Sequence, residues 1–294
     1  MTRLRVGSRG SELALTQTRW VCDRLREAHL GIEIEEVIIR THGDAATDQP
    51  FDAAWPVGSF VSALEMALVN GEIDFAVHSY KDLPSESPEG LVIAAVPQRE
   101  VAHDVMVVRE PVTLNDLPRR FRIGTSSPRR SAQLRRLGEV ELVPIRGNVP
   151  TRLGKVTSGE VDAVVLAAAG LRRLGIEPEH VVPLPTDRFV PSPAQGALAI
   201  QSRAGDEAER LLDALNHAPS RCAVEAERAF LARVEAGCQT PLGALATLAD
   251  ETITLRAQLF SDDGERLVKG KATGSDPLDV GDRLGKRLVA ELNG

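Results

Sequence analysis

Short apolar runs alternate with segments whose apolar positions recur every three or four residues, which divides the first hundred residues into strands and helices. Leu4 to Gly7 and Ile32 to Ile39 have strand character, and between them Ser11 to Ala28 is amphipathic with helical spacing. That is a βαβ opening. Ser11, directly ahead of Glu12 and Leu13, is of a residue type that caps a helix by accepting a hydrogen bond from an orphaned backbone N–H. A second helix is predicted over Phe60 to Asn70, followed by an apolar strand, Phe75-Ala-Val-His78. Thr41 to Ser59, with Gly43, Asp44, Pro50, Pro56 and Gly58 and little periodicity, reads as a long loop, a kind that is usually functional or mobile.

The pattern starts again near Val105. Strands are predicted over Val105 to Val108, Arg122 to Gly124, Leu142 to Ile145 and Ala163 to Leu166, with helices after Pro128 and Val149, which makes a second α/β layer. The chain then runs through Pro191 and Pro193 into a strand, Gly196 to Gln201, and a helix, Asp206 to Asn216, that can return to the first layer. After Ser220 a helix leads to Gly237-Cys238, and alternation over Thr252 to Leu259 with a last helix, Pro277 to Leu292, makes a small α+β unit. No repeat or low-complexity tract stands out. The expected division is 1–98 with 194–217, then 99–193, then 218–294.

A length of 294 residues fits two or three domains better than one. Hydrophobic content of 43% with 26% charged residues describes a globular chain, and 3% aromatics leaves an aliphatic core. No segment approaches a membrane span, and the start lacks the apolar stretch and cleavage site of a secretory signal, so a cytoplasmic protein without a membrane partner is expected. Cys22, Cys222 and Cys238 are an odd number at wide spacing, which suits neither a disulfide framework nor a thiolate metal site. The histidines show no His-x-x-x-His or His-x-His spacing, so no metal is expected. A net charge of -7 argues against a nucleic-acid partner. The charge is uneven, however: Arg119 to Lys155 holds ten basic residues against Glu139 and Glu141 alone.

Within that basic island, Gly124-Thr125-Ser126-Ser127-Pro128-Arg129-Arg130 runs from a strand end through a hydroxyl-rich turn into a helix start. Free backbone N–H groups, hydroxyls and two arginines on the first turn make an anion site. Arg146-Gly147-Asn148-Val149-Pro150-Thr151-Arg152 repeats the arrangement after the next strand, and Arg9 with Ser11 does so after the first. Any one of these arginines alone reads more readily as part of a solvated helix face, where Arg119, Arg120, Arg135 and Arg136 belong. Coincidence at three strand ends points to a ligand with several carboxylates or phosphates. None of the turns has the glycine pattern of a nucleotide loop. His78-Ser79-Tyr80-Lys81-Asp82-Leu83-Pro84 ends an apolar strand, where α/β proteins form clefts; its adjacent ammonium and carboxylate are either a surface pair or a proton-transferring, charge-stabilising one. Cys238, in Glu235-Ala-Gly-Cys-Gln-Thr-Pro-Leu-Gly243, stands at a turn and is either structural or reactive, whereas Cys22 and Cys222 sit in helical patterns and read as packing residues.

Seven motifs now stand in one order: Arg3-Leu-Arg-Val-Gly-Ser-Arg-Gly-Ser11, Val77-His-Ser-Tyr-Lys-Asp-Leu-Pro84, Gly124-Thr-Ser-Ser-Pro-Arg-Arg130, Arg146-Gly-Asn-Val-Pro-Thr-Arg-Leu153, Ala168-Ala-Gly-Leu-Arg-Arg-Leu-Gly175, Pro193-Ala-Gln-Gly-Ala197 and Glu235-Ala-Gly-Cys-Gln-Thr-Pro241. Through them the chain resembles the hydroxymethylbilane synthase (porphobilinogen deaminase) family over nearly its full length. The resemblance implies an α/β protein with two domains built like type II periplasmic binding proteins and a small C-terminal α+β domain. It implies a monomeric transferase of haem and porphyrin biosynthesis whose dipyrromethane cofactor is held by Cys238 through a thioether and whose substrate is porphobilinogen. Arg9, Ser11, Ser79, Lys81, Thr125, Ser126, Ser127, Arg129, Arg130, Arg146, Gly147, Arg152, Arg173 and Gln195 match positions that bind cofactor or substrate. Asp82 matches the catalytic carboxylate, which stabilises the cation left when ammonia departs.

The sequence departs from the family in Trp55-Pro-Val-Gly-Ser-Phe60, where Gly58 and Phe60 of the lid loop survive without the usual glycines or a lysine. It departs again in Arg99-Glu-Val-Ala-His-Asp104 and at Tyr80. A two-lobed ligand-binding protein without catalysis is the rival reading, and Cys238 with its small domain counts against it.

Overall fold

The computed structural model describes residues 2–39, 62–235 and 241–294. In chain order the elements are β1 (Arg3–Ser8), α1 (Glu12–Ala28), β2 (Glu33–Ile38), α2 (Ser62–Val69), β3 (Phe75–Ser79), β4 (Leu91–Ala95), β5 (Asp104–Val108), β6 (Phe121–Gly124), α3 (Pro128–Leu134), β7 (Val140–Val143), α4 (Val149–Thr157), β8 (Ala163–Ala167), α5 (Ala168–Arg173) and β9 (Val181–Pro183). Next come β10 (Leu198–Arg203), α6 (Glu207–Leu212), α7 (Ala218–Glu235), β11 (Leu242–Ala249), β12 (Thr252–Phe260), β13 (Leu267–Gly274) and α8 (Pro277–Asn293). Two compact units result, one of Met1–Glu100 with Ala197–Arg221 and one of Val101–Gly196 with Cys222–Gly294.

The first unit is built on a five-stranded sheet in the order β2-β1-β3-β10-β4. β1 runs parallel to β2 and β3, and β10 runs antiparallel to both β3 and β4. The second unit contains a sheet in the order β7-β6-β8-β5-β9, with β6 parallel to β7 and β8 and with β5 antiparallel to β8 and β9. The two sheets share one spatial pattern once β10 is matched with β5, although in chain order β10 is the last strand of its sheet and β5 the first of its own. In both, the antiparallel strand is the one formed just after the chain has passed from one unit to the other.

The likeness extends to side chains. Arg5 on β1 donates its backbone N–H and its guanidinium to Asp74, which precedes β3, at 2.7–3.2 Å. Arg122 on β6 does the same to Asp162, which precedes β8, at 2.9–3.2 Å. The acceptors lie in Gly71-Glu-Ile-Asp74 and Gly159-Glu-Val-Asp162, two related stretches too short to register as a repeat in the sequence. Each bidentate pair sets the offset of two parallel strands. The guanidinium partners hold both Asp74 and Asp162 below the usual carboxylate range, against the opposing effect of burial.

The third sheet, β11-β12-β13, is antiparallel and is covered by α7 and α8 around Phe230, Leu255, Leu259, Val280, Leu284 and Leu288. The architecture thus contains the expected two mixed α/β sheets and a small α+β unit. α8 buries Val280, Gly281, Leu284, Gly285 and Leu288, a single face at helical spacing.

Several strands differ from the reading of the sequence. The strand predicted over Leu142 to Ile145 lies at Val140–Val143, because Pro144 lacks the N–H that a ladder needs and the N–H of Ile145 turns instead to Ser126 Oγ at 3.0 Å. β4, β9, β11 and β13 are additions. β11 reads Leu-Gly-Ala-Leu-Ala-Thr-Leu-Ala, whose small residues signal no strand until β12 pairs with it.

A methyl group on Gly281 would meet the backbone carbonyl of Ala226 and the backbone N of Phe230 in α7, neither of which can swing aside, whereas Gly154 on α4 faces open space. Urea unfolding is therefore expected to show Gly281→Ala destabilised by about 2 kcal/mol, within the usual range for overpacking, and Gly154→Ala stabilised by about 0.5 kcal/mol through helix propensity.

Candidate functional site

The sequence-predicted residues fall at strand ends, and each unit holds its own set. In the first unit β1 ends at Ser8, which is fully buried; Thr18 of α1 donates to Ser8 Oγ at 3.0 Å, and that hydroxyl donates to the Arg9 carbonyl at 3.0 Å. Half-buried Arg9 comes next, then Ser11, whose hydroxyl caps α1 by accepting from the N–H of Ala14 at 3.3 Å. β3 ends at Ser79, where the Gln17 amide donates to Oγ at 3.0 Å and the hydroxyl faces Gln17 Oε1 at 3.2 Å. Gln17 was not singled out from sequence, since its place on the buried face of α1 gives no signal of function.

Past Ser79 the chain forms a single 3-10 turn, Tyr80–Asp82. Tyr80 is buried and donates its backbone N–H to the Ala197 carbonyl at 3.0 Å, Lys81 is half-buried, and Asp82 is exposed. The buried tyrosine anchors the turn, and the next two side chains are less enclosed than it is. The departure at Tyr80 thus changes what fills the core beneath the turn. Among the described residues no hydrogen bond or ion pair engages the Asp82 carboxylate.

In the second unit the hydroxyl turn after β6 is a set of backbone substitutes. Ser126 Oγ donates to the Ile145 carbonyl at 2.6 Å, Thr125 Oγ1 accepts from the Ser127 N–H at 3.2 Å, and Ser127 Oγ caps α3 by accepting from the Arg130 N–H at 3.4 Å. Arg129 and Arg130 are not on a solvated face: their side chains are 7% and 9% exposed. Asp104 at the start of β5, itself 1% exposed, takes Arg130 at 2.7 Å on Oδ1 and Arg129 at 2.8 Å on Oδ2. Arg129 also donates to Gln133 Oε1 and the Val190 carbonyl at 3.1 Å, and Arg130 to the Val165 carbonyl at 2.9 Å. Burial lowers the Arg129 pKa; Asp104 opposes this and Arg130 adds to it. Gln195, fully buried, donates to Asp104 Oδ1 at 2.9 Å and to the Ala102 carbonyl at 2.7 Å. Asp104 is a residue that sequence reasoning missed, because nothing local links it to arginines in a different element.

After β7, Arg146 is exposed and Gly147 takes φ +104, where a Cβ would meet the Thr151 side chain at 2.6 Å. Asn148 caps α4 by accepting from the Thr151 N–H at 2.9 Å, and Arg152 Nε donates to the Gly147 carbonyl at 2.8 Å. Arg173 of α5 donates to the Gly196 carbonyl at 2.7 Å. Arg119 pairs with Glu139 in the open, while Arg135 and Arg136 donate to the carbonyls of Asp263 and Glu265 near the third sheet. Cys238, Gly58 and Phe60 lie outside the described residues. Among the described residues no group of three side chains could hold a metal, and no helix is long and apolar enough to cross a membrane.

A family model described as "Porphobilinogen deaminase, dipyromethane cofactor binding domain" matches residues 4–210, and the corresponding C-terminal domain model matches 222–293. A porphobilinogen deaminase of Brevibacillus brevis is 43% identical, over 99% of this chain and 95% of its own length. That of Moorella thermoacetica is 45% identical, over 99% of this chain and 94% of its own. Among solved structures, the BenM effector-binding domain with benzoate is 18% identical at a TM-score of 0.44, covering 72% of this chain and 88% of its own. The reduced OxyR regulatory domain of Pseudomonas aeruginosa is 14% identical at 0.41, covering 73% and 97%.

His78, one residue before Ser79, is buried, and that burial, joined by the charge of Arg9 and partly offset by Gln201, pushes its pKa down to about 4. It is therefore neutral at working pH and no proton donor there. Because the unfolded histidine titrates near 6.5 and the folded one near 4, the unfolded chain takes up a proton first as pH falls. The stability tied to neutral His78 is full above about pH 6.5 and is lost towards pH 4, a change of roughly 3 kcal/mol. The Tm profile is expected to slope across that window, and His78→Gln to flatten it.

Proposed function

The chain belongs to the porphobilinogen deaminase family, and from that premise we propose how its own residues perform that transferase reaction, the deamination and head-to-tail joining of four porphobilinogen molecules into linear hydroxymethylbilane. The observation that carries the reading is the pair Arg129 and Arg130, buried, among the described residues, against a single carboxylate, which leaves one positive charge over in a dry setting. Arg130 Nε is buried there without a hydrogen-bond partner among the described residues. An uncompensated buried cation with a spare donor suits a carboxylate ligand, and the acetate and propionate arms of a dipyrromethane fit it. When bound, the dipyrromethane supplies the pyrrole carbon from which the chain of substrate rings is extended.

In this reading Cys238 holds that group through a thioether. Neither of the other cysteines is suited to it: burial pushes the Cys22 thiol up to about 12, and it raises Cys222 as well, so both are poor thiolates. Arg129, Arg130 and the Thr125, Ser126, Ser127 turn recognise carboxylates. Arg9, Ser11, Ser79, Lys81, Arg146, Gly147, Arg152, Arg173 and Gln195 complete the recognition of cofactor and substrate arms. Asp82 acts on charge. Departure of ammonia leaves a cation on the substrate pyrrole, and a fixed carboxylate stabilises that state more than the neutral ground state. Its exposed position, and oxygens that no described residue engages, support this role, since a carboxylate already paired would have little left to offer. The proposal includes three functional domains, 1–98 with 194–217, 99–193 and 218–294, in a cytoplasmic monomer without a nucleic-acid partner; three sheets, and a net charge that repels polyanions outside the arginine turns, support it.

Intact-mass measurement of the purified protein is expected to show one added dipyrromethane that Cys238→Ser removes and that Cys22→Ser and Cys222→Ser retain. An unmodified wild-type chain with full activity would overturn the assignment. Single-turnover ammonia release, measured on protein shown by mass to be loaded, is expected to fall roughly a hundredfold in Asp82→Asn, the scale of losing one electrostatic stabiliser, and less in Asp82→Glu, which keeps the charge but misplaces it.

A further inference from the structure

Resting on the reading above, we propose that Asp104 is a positioning residue: by taking one arginine on each carboxylate oxygen it holds Arg129 and Arg130 as a single rigid anion-recognising unit. The contacts are 2.7 Å to Arg130 and 2.8 Å to Arg129, and the carboxylate is 1% exposed. Asp104 opens β5 and stands in register with Ala167 at the end of β8, so the main chain fixes it independently of the arginines. The Gln195 amide at 2.9 Å fixes its Oδ1 from the other side.

The ratio of charges separates this arrangement from an ordinary structural ion pair. A buried one-to-one pair neutralises itself, whereas two guanidinium groups on one carboxylate retain a positive charge that burial penalises. Remove the carboxylate, and two like charges on adjacent residues remain in a space that water barely reaches. The side chains then relieve the repulsion by moving apart towards solvent. Asp104 therefore decides where the two guanidinium groups sit, although it has no need to touch a ligand itself.

The test tracks the guanidinium groups directly. The full chain is treated with phenylglyoxal, which modifies accessible arginines, and modification at Arg129 and Arg130 is timed by peptide mass spectrometry with Arg122 as the internal reference. Wild type is expected to react slowly at both positions. Asp104→Asn is expected to react at least tenfold faster at both with Arg122 unchanged and to lose dipyrromethane occupancy in the intact mass. Asp104→Glu, which restores the charge, is expected to recover most of the protection. Cys238→Ser, free of the cofactor but with Asp104 in place, is expected to react as slowly as wild type. If Cys238→Ser reacts as fast as Asp104→Asn, the shielding belongs to the cofactor and the proposal falls. It falls equally if folded Asp104→Asn stays within twofold of wild type. Should Asp104→Asn not fold, Gln195→Leu releases one side of the carboxylate and is expected to speed modification at least threefold; no change there would also overturn it. Modification needs no substrate, so a wild-type chain inactive on porphobilinogen would count against the proposed function and leave the question about Asp104 to these rates.

Discussion

Two guanidinium groups share one carboxylate in a space that water scarcely enters, and much of the second unit is arranged to make that tolerable. Buried donors left unsatisfied cost on the order of 1–3 kcal/mol each, so every contact around Arg129 and Arg130 matters. Carbonyls of Val165 on β8 and of Val190 ahead of the Pro191–Pro193 turn accept from them, as does Gln133 on α3. Gln133 in turn donates to Gln258 on β12 at 3.0 Å, which ties the third sheet into the same network. The turn that presents Gln195 has its own support: Ala194 adopts φ +59, uncommon for a residue with a side chain, and its N–H is held by the fully buried Glu227 of α7 at 2.6 Å. Glu227 also accepts from the Ala246 N–H of β11 at 2.8 Å. Helix, turn and both sheets of this unit are thus fastened to one site of unbalanced charge.

The two five-stranded sheets use one plan for different ends. Both have the same spatial arrangement of strands, with β10 matched to β5, and the same Arg–Asp clamp, Arg5 with Asp74 and Arg122 with Asp162, and both begin a helix at a serine cap after the first parallel strand, Ser11 and Ser127. Beyond the equivalent central strands the two chains of residues diverge. β3 leads into Ser79-Tyr-Lys-Asp82, a short turn with two charged side chains, while β8 leads into Ala167-Ala-Ala-Gly170 and the helix α5. Small side chains there keep that strand end free of competing charge next to Arg130. The scaffold is shared; the residue types at its ends differ, and on the proposed reading they divide chemistry from recognition.

Local physics made the frame legible in advance. Ser11 and Ser127 announce their helices because a hydroxyl at that position satisfies an orphaned N–H, and Phe75 to His78 reads as a strand because every residue in it is apolar or enclosed. Non-local pairing was not legible. β11 and β13 become strands only through β12, and β4 is closed into its sheet by β10, a hundred residues later in the chain. The same limit applies to the site. The arginine turns stood out by composition, yet their burial did not, since Asp104 lies 25 residues or so before them and belongs to another strand. The basic island suggested a charged surface; the structure divides it into exposed Arg119 and Arg146, tethering Arg135 and Arg136, and enclosed Arg129 and Arg130.

On the proposed function, that division suits a site that keeps one anionic group and passes others through. Field from an exposed charge fades over about 8 Å at physiological ionic strength, and an exposed ion pair contributes little, so on the proposed reading exposed Arg146 would hold a carboxylate briefly and release it at small cost. A dry pair behaves differently. Arg129 and Arg130 have already lost their water, their orientation is set by Asp104 and by backbone carbonyls, and a carboxylate that joins them removes an excess charge rather than merely exchanging one solvation shell for another. On the proposed reading the permanently attached group belongs with the enclosed pair, and the substrate rings, which must move on as the chain grows, belong with the exposed and half-buried ones. If every arginine were as deeply fixed as Arg129, a product with many carboxylates would be held too tightly to leave. If every one were as open as Arg146, nothing in this arginine set would keep part of a growing polyanion in place.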